Sequence, residues 1–470
     1  MNTQCTSKTF QIRTKLAKEL VLDFQGGEIT SDAGLPLLNA VEQKLTLFDR
    51  LASCFKDYRD SKRVEHSTRD LLAQRILGLA LGYEDLNDHD ILKRDPLLAA
   101  SVGKTDLLGK QRLRTRDTGN PLASSKTLNR LELTESDSGE HERYHKIVCC
   151  DNKVEKLFVD LFLESHSKAP KKIILDLDHT DVLIHGKQEG RFFHGYYDNY
   201  CFLPLFIFCE DQLLVAKLRT SDGDSMRGVI DEVARVVMQI REAWPETKIL
   251  IRGDSGFCRE EFMAWCEAQE KVDFLFGLRK NNRLVGELYF EKLLVEADYI
   301  LTNEAQRRFK DFQYSTLKSW SRERRVIGKA ECLEKGFNPR FIVTSLDPDN
   351  NPGQELYERD YCARGEMENR IKEQQLYLFG DRTSAHSFRA NQLRLWFSSL
   401  AYVLLESLRR LGLKGTKLAK ARCDTIRLKL LKIGARVKVT ARRIWARLAS
   451  GYPYQELFKQ VWQRLTVQVE

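Results

Sequence analysis

Hydrophobic positions along this chain repeat with two different periods, and the change between them falls near residue 165. Before it the spacing is that of helices. Thr30-Ser31-Asp32 offers N-caps for an apolar run through Leu35, Leu37, Leu38, Val41 and Leu45. Ser67-Thr68 can cap a second run, Leu71, Leu72, Ile76, Leu77 and Leu79, which stops near Gly82. Shorter helices are predicted over Leu86 to Leu92, Ser124 to Glu132 and Val154 to Glu164. Within the fourth, Ser125, Thr127, Asn129 and Arg130 suit a phosphate backbone, and a scaffold role for this whole region is equally open.

From residue 170 the pattern becomes that of strands. Lys172 to Asp178 is apolar and then ends in carboxylates, and Phe202 to Cys209 with Leu213 to Leu218 reads as a hairpin about Glu210-Asp211. A helix from Met226 to Ala243, a strand from Lys248 to Asp254, a helix from Arg259 to Gln269 and a strand from Asp273 to Leu278 follow. The fold class predicted is α/β, a mixed sheet whose first three strands are largely antiparallel. Short strand candidates at Phe312–Leu317, Arg324–Ile327 and Phe341–Ser345 mark a β-rich insertion. Two helices, from about Glu358 to Phe379 and from about His386 to Leu408, come after it. The divisions drawn are 1–165, mainly helical; 166–280, the first part of the sheet domain; 281–352, the insertion; 353–410, its final helices; and 411–470, a basic tail.

Composition narrows the class. With 42% hydrophobic and 30% charged residues the chain is an ordinary globular protein. The opening Met-Asn-Thr-Gln-Cys-Thr lacks the apolar stretch of a secretory signal, and no window suits a membrane span, so a cytoplasmic protein is expected. Eleven cysteines without a Cys-x-x-Cys pair point to reduced thiols rather than a zinc site. The charge of +9 is concentrated: Arg409 to Arg447 alone carries fourteen Lys and Arg against Asp424. Arg427, Lys429, Arg436, Lys438, Arg442 and Arg443 in this tail interleave with apolar residues, a pattern of two strands around Gly434 at least as much as of a helix. Such a footprint suits a DNA backbone, with affinity that falls steeply with salt.

Three acids are the candidate chemistry. On the first strand Ile174, Asp176 and Asp178 share one face and Ile173, Leu175 and Leu177 the other. A carboxylate in a core strand is costly unless a cation or a partner satisfies it. Asp178 and Asp254 both stand where a strand gives way to a loop, the edge where ligands of α/β sheets collect. Glu368 is the third. Tyr361, Arg364, Glu368 and Lys372 are spaced three, four and four apart and form one helical stripe, able to hold a metal and the phosphates around it. Three acids suffice for two Mg²⁺ (or Mn²⁺) ions in an in-line displacement at phosphorus. Asp176 and Asp181 remain alternatives for the first acid. Gly253-Asp254-Ser255-Gly256 has the letters of a serine-protease motif but lies between a parallel-type strand and a helix, and no phosphate-binding loop of an ATP-driven motor is present.

The chain resembles bacterial insertion-sequence transposases of the DDE type, most closely the group 1 DDE-domain family. The resemblance rests on Leu175-Asp-Leu-Asp-His-Thr-Asp181, His185-Gly186, Phe193-His-Gly-Tyr-Tyr197, Arg252-Gly-Asp-Ser-Gly-Phe257 and the Tyr361–Lys372 stretch. It extends to Ile29-Thr-Ser-Asp-Ala-Gly34 and Pro121-Leu-Ala-Ser-Ser-Lys-Thr-Leu-Asn-Arg130. It implies a ribonuclease-H-like catalytic domain, metal-dependent cleavage at terminal inverted repeats and joining of the ends to target DNA. Asp178, Asp254 and Glu368 are the catalytic and metal-binding residues it implies. Related transposases carry Tyr-x2-Arg-x3-Glu-x6-Lys on the last helix. Here the final position is Gln375, and Lys372 is the substitute phosphate contact. Trp320, among Lys318, Arg322, Arg324 and Arg325, suits stacking on an extruded base. Double-stranded DNA is the expected partner, bound by a homodimer. The competing readings are a ribonuclease-H-like nuclease that cuts without joining, and an inactive transposon-derived DNA-binding protein.

Overall fold

The computed structural model describes residues 9–13 and 19–467; the polar opening Met-Asn-Thr-Gln-Cys-Thr lies outside them. The chain divides into two compact units, Met1–Cys150 with Leu400–Glu470, and Asp151–Ser399. Helix Asp151–Glu164, expected to close the N-terminal region, is therefore grouped with the sheet that follows it.

The second unit is built on one mixed sheet of nine strands. Its order across the sheet is Gln212–Lys217, Leu205–Cys209, Lys172–His179, Lys248–Gly253, Val272–Leu278, Arg340–Thr344, Arg324–Leu333 and Gln306–Tyr314, with Gly336–Phe337 paired to Arg324–Leu333. The three central strands, beginning at 172, 248 and 272, run parallel, and every other pair is antiparallel. This mixed sheet with its helices is consistent with the ribonuclease-H-like expectation.

The two faces of the sheet follow from strand parity. Ile173, Leu175, Leu177, Ile249 and Ile251 enter one large core with residues of helices Asp151–Glu164, Val229–Ala243 and Glu260–Ala268. Leu250, Leu275, Ile327 and Ile342 form a second core with Leu356 and Tyr357. The helical segment covering that second face runs over 353–377, with wide π turns at Leu356–Tyr361 and Glu373–Tyr377 around the regular helix Gly365–Lys372. Asp176 and Asp178, of one parity with Ile174, belong to this second face.

The segment expected as a β-rich insertion differs in two ways. It opens with helices Asn282–Glu287 and Tyr289–Thr302, and its strands join the central sheet through the Arg340–Thr344 pairing with Val272–Leu278. Its strands are also longer than the alternation indicated, because a nine-residue antiparallel pairing of Gln306–Tyr314 with Arg324–Leu333 carries polar residues on its outer face.

In the first unit Ser67 caps helix Thr68–Leu81 with the reciprocal Asp70 contact, and Gly82 ends it in the left-handed conformation. Thr30, Ser31 and Asp32 do not cap the helix that follows. Thr30 belongs to a short strand, and buried Asp32 accepts from Tyr83 Oη at 2.6 Å and pairs with Lys432 at 2.6 Å. Helix Leu35–Leu45 starts instead from Gly34, with Pro36 in its first turn. Strand Ala435–Val439 pairs with Ile29–Thr30 on one side and with Ile444–Leu448 on the other, so the basic tail closes a sheet begun at residue 29.

Candidate active site

The site is assembled where two parallel strands end beneath the Gly365–Lys372 helix. Asp178 is the penultimate residue of its strand, Asp254 directly follows strand Lys248–Gly253, and Glu368 lies one turn after Arg364. Arg364 joins them. One guanidinium nitrogen lies 3.4 Å from Asp178 Oδ2 and another 3.1 Å from Glu368 Oε1. Burial pushes the Asp178 carboxyl up to about 7; Arg364 opposes the rise, and the charges of Asp254 and Glu368 add to it. Acids distant in sequence thus act on one another around a single cation. Tyr361, a turn before Arg364, is half-buried against the strand ends, and its phenol is raised by burial and by the charge of Asp254. Lys372 is exposed at the far end of the helix.

Asp176 has a different fate. Register places it opposite Arg252 on the neighbouring parallel strand, and the two meet side by side: Nε to Oδ1 at 2.5 Å and Nη2 to Oδ2 at 2.7 Å. Arg252 also donates to the Asp360 carbonyl. Both carboxylate oxygens are thereby occupied in a buried fork, leaving little room for a ligand role. Asp181 lies beyond the strand, where its charge acts on Tyr197 and its carbonyl accepts from Gln375 at 3.5 Å.

Among the described residues no three His, Cys, Asp or Glu side chains stand close enough to hold an ion together. The donor chemistry nevertheless fits a hard divalent cation: Asp178 and Glu368 share the Arg364 guanidinium, and the charge of Asp254 acts on the same Asp178 carboxyl.

One part of the surroundings was missed. A small sheet of Val182–Leu183, Asn199–Phe202 and Phe192–His194 carries exposed aromatic rings. Phe193 and Tyr200 pair across it with ring centres 5.5 Å apart, and the Arg191 guanidinium lies 3.6 Å above the Tyr200 ring. Tyr197 in its turn feels the charges of Asp181, Asp178 and Asp254, and burial with those charges pushes its phenol up to about 12. The run of aromatic letters was the signal, but its position beside the acids depends on tertiary pairing.

Other candidates separate clearly. Trp320 is half-buried, edge-on to Tyr314 at 5.7 Å, and packs on the large core. Three of the four cations that suggest base stacking are engaged: Arg322 with Glu267, Arg324 with Glu260 and Glu267, Arg325 with Asp311. In the basic tail Arg427 turns inward and donates to the Ala80 and Leu79 carbonyls at the end of helix Thr68–Leu81, a helix-terminus contact rather than a surface one. Lys429 is half-buried near the Tyr454 ring. The two strands lie after Gly434, not around it, because 423–431 is helical. Arg436 and Lys438 alternate with buried Ala435 and Val437, and Arg442 and Arg443 occupy the exposed turn.

Among the described residues no helix is long and apolar enough to cross a membrane. The family model described as transposase DDE domain group 1 matches residues 12–469. No curated protein matches the chain.

Proposed function

The chain belongs to the transposase DDE domain group 1 family, and from that premise we propose that it cuts DNA at the terminal inverted repeats of a bacterial insertion sequence and joins the ends to target DNA. The observation that supports this reading is the shared Arg364 contact between Asp178 and Glu368, with Asp254 raising the same carboxyl. Asp178, Asp254 and Glu368 are the residues that would hold divalent metal. Such ions, two in number on this reading, supply Lewis acidity to the attacking and leaving oxygens of an in-line displacement.

The chain's own groups do the rest. Arg364, the cation already placed between two acids, orients the non-bridging oxygens of the scissile phosphate, and Tyr361 fixes the helix over the strand ends. In hydrolysis a water oxygen bonds to phosphorus as the P–O3′ bond breaks; the water gives up a proton to solvent and the leaving 3′-oxygen takes one up, which frees a 3′-hydroxyl. In joining, the freed 3′-hydroxyl attacks a target phosphodiester, so one ester bond replaces another and no nucleotide is consumed. The Phe193–Tyr200 surface offers stacking faces to bases beside that phosphate. Arg436, Lys438, Arg442 and Arg443 track the DNA backbone.

The test is incubation with DNA carrying the ends of the element and Mg²⁺. Wild type is expected to cut at the ends and to form joined products, and Glu368→Gln to lose roughly 10³-fold or more in cutting rate while folding normally. Undiminished cutting by Glu368→Gln overturns the site assignment. Cutting without joined products leaves a nuclease.

A further inference from the structure

Among the described residues nothing covers one face of helix Tyr289–Thr302. Val295 is the residue it buries, on the side toward strands Gln306–Tyr314 and Arg324–Leu333, where Leu288 and Tyr299 also enter the core. On the opposite side Tyr289, Phe290, Leu293, Leu294, Ala297, Ile300 and Leu301 fall within one arc of roughly 140° at 100° per residue, and all are exposed. The six large ones are 46–83% exposed, and no charged residue interrupts the stripe. Together they present roughly 700 Å² of apolar surface, more than the roughly 300–600 Å² of the largest patch on a typical monomer.

We propose that this face is the seat of a second copy of the same chain, packed as an antiparallel helix pair. Three observations select that occupant. The exposed area is close to the ~800 Å² that each partner contributes to a standard stable interface. Ala297, the smallest residue, lies at the centre of the arc, with Leu293 and Leu294 on one side along the axis and Ile300 and Leu301 on the other. A twofold axis through Ala297 therefore sets two backbones close together and matches the leucines of one copy with Ile300 and Leu301 of its mate. The border of the stripe carries Glu291, Glu296 and Asp298, with Lys292 paired to Glu296 at 3.7 Å and Arg308 to Asp298 at 3.0 Å. With two of those acids neutralised by Lys292 and Arg308 the rim carries no net positive charge, whereas helices that lie on membranes are rimmed by Lys and Arg.

The proposal goes beyond the catalytic reading and is tested without DNA or metal. Sedimentation of the full chain in 0.5 M salt, where the Debye length falls to roughly 4–5 Å and contacts between exposed charges are screened, is expected to give a dimer. Leu294→Glu with Leu301→Glu is expected to weaken it about 100-fold or more, with unchanged circular dichroism because both side chains are exposed in one copy. Ala297→Cys is expected to yield a disulfide-linked dimer on mild oxidation that wild type, with its own exposed Cys150 and Cys362, does not form. A monomeric wild type, or a dimer indifferent to the paired glutamates and not crosslinked through position 297, overturns the proposal. So does binding to neutral phosphatidylcholine vesicles that the glutamates abolish while the wild-type chain sediments as a monomer. None of these results depends on whether the chain cuts DNA, so failure here and failure of the transposase reading are separable.

Discussion

Asp176 and Asp178 stand two residues apart on one face of one strand, and the protein treats them in opposite ways. Asp176 meets a guanidinium across a parallel register and is sealed by it on both oxygens. Asp178 has only a share of Arg364, with Glu368 on the same cation and Asp254 adding like charge. The first arrangement is complete and belongs to the scaffold. The second holds more negative charge than one arginine balances. It is the difference in partners, not in residue type, that separates the sealed carboxylate from the one we propose as catalytic.

That contrast can be broken by exchange. Asp176→Leu leaves Arg252 buried and unpaired, and is expected to cost about 3–5 kcal/mol in urea unfolding. Asp178→Asn removes a carboxyl whose charge is disfavoured. It is expected to keep or raise stability in metal-free buffer at pH 8 while end cutting falls by roughly 10³-fold. Should Asp176→Leu spare stability, or Asp178→Asn spare cutting, the two aspartates are not divided as described.

The basic tail offers the same division between Arg427 and its neighbours. Arg427→Ala is expected to lower stability by about 1–2 kcal/mol, since the Ala80 and Leu79 carbonyls lose the guanidinium as a donor while Leu79 keeps the Gly82 amide. Its effect on the salt dependence of DNA affinity should be negligible. Arg436→Ala with Lys438→Ala is expected to leave stability unchanged and to reduce the slope of log affinity against log salt by about 2.

The smallest expected effect concerns a buried histidine. His89 is fully buried with Gln74 Nε2 3.1 Å from its Nδ1, and burial, aided by the charge of Arg75, lowers its pKa to about 3. Between 6.5 and about 3 the unfolded chain takes up a proton that the folded one refuses, so stability is full above 6.5 and falls as the pH drops. Going from pH 6.5 to 5.5 is expected to cost about 1 kcal/mol through this group. His89→Gln should flatten that part of the curve, measured by thermal unfolding across the range.

Much of the second unit was legible because its signals are local. The apolar strands ended in acids, the parity of Ile174, Asp176 and Asp178 set their face, and Tyr361, Arg364 and Glu368 lay on one helical stripe. What could not be read depends on contacts between distant residues. Nothing near Asp176 in sequence announces Arg252, and nothing near Arg427 announces the end of helix Thr68–Leu81. Helix Tyr289–Thr302 is hard to read from the sequence for another reason. Its polar residues are few and its apolar ones cover more than half the circumference, so the period of 3.6 is weak there. That weakness is itself the mark of a face turned outward.

The pairing of Thr30 with Ala435 has a consequence for synthesis. About four hundred residues separate the partners, which at roughly 5–20 residues per second is a wait of about 20–80 s on the ribosome. Asp151–Ser399 emerges whole in that interval, while the unit that contains Thr30 stays unfinished until the strand at Ala435–Val439 is made. A message cut short before residue 435 would yield the three acids without the ribbon that pairs with Ile29–Thr30, so the order of translation holds that unit open until the ribbon is made.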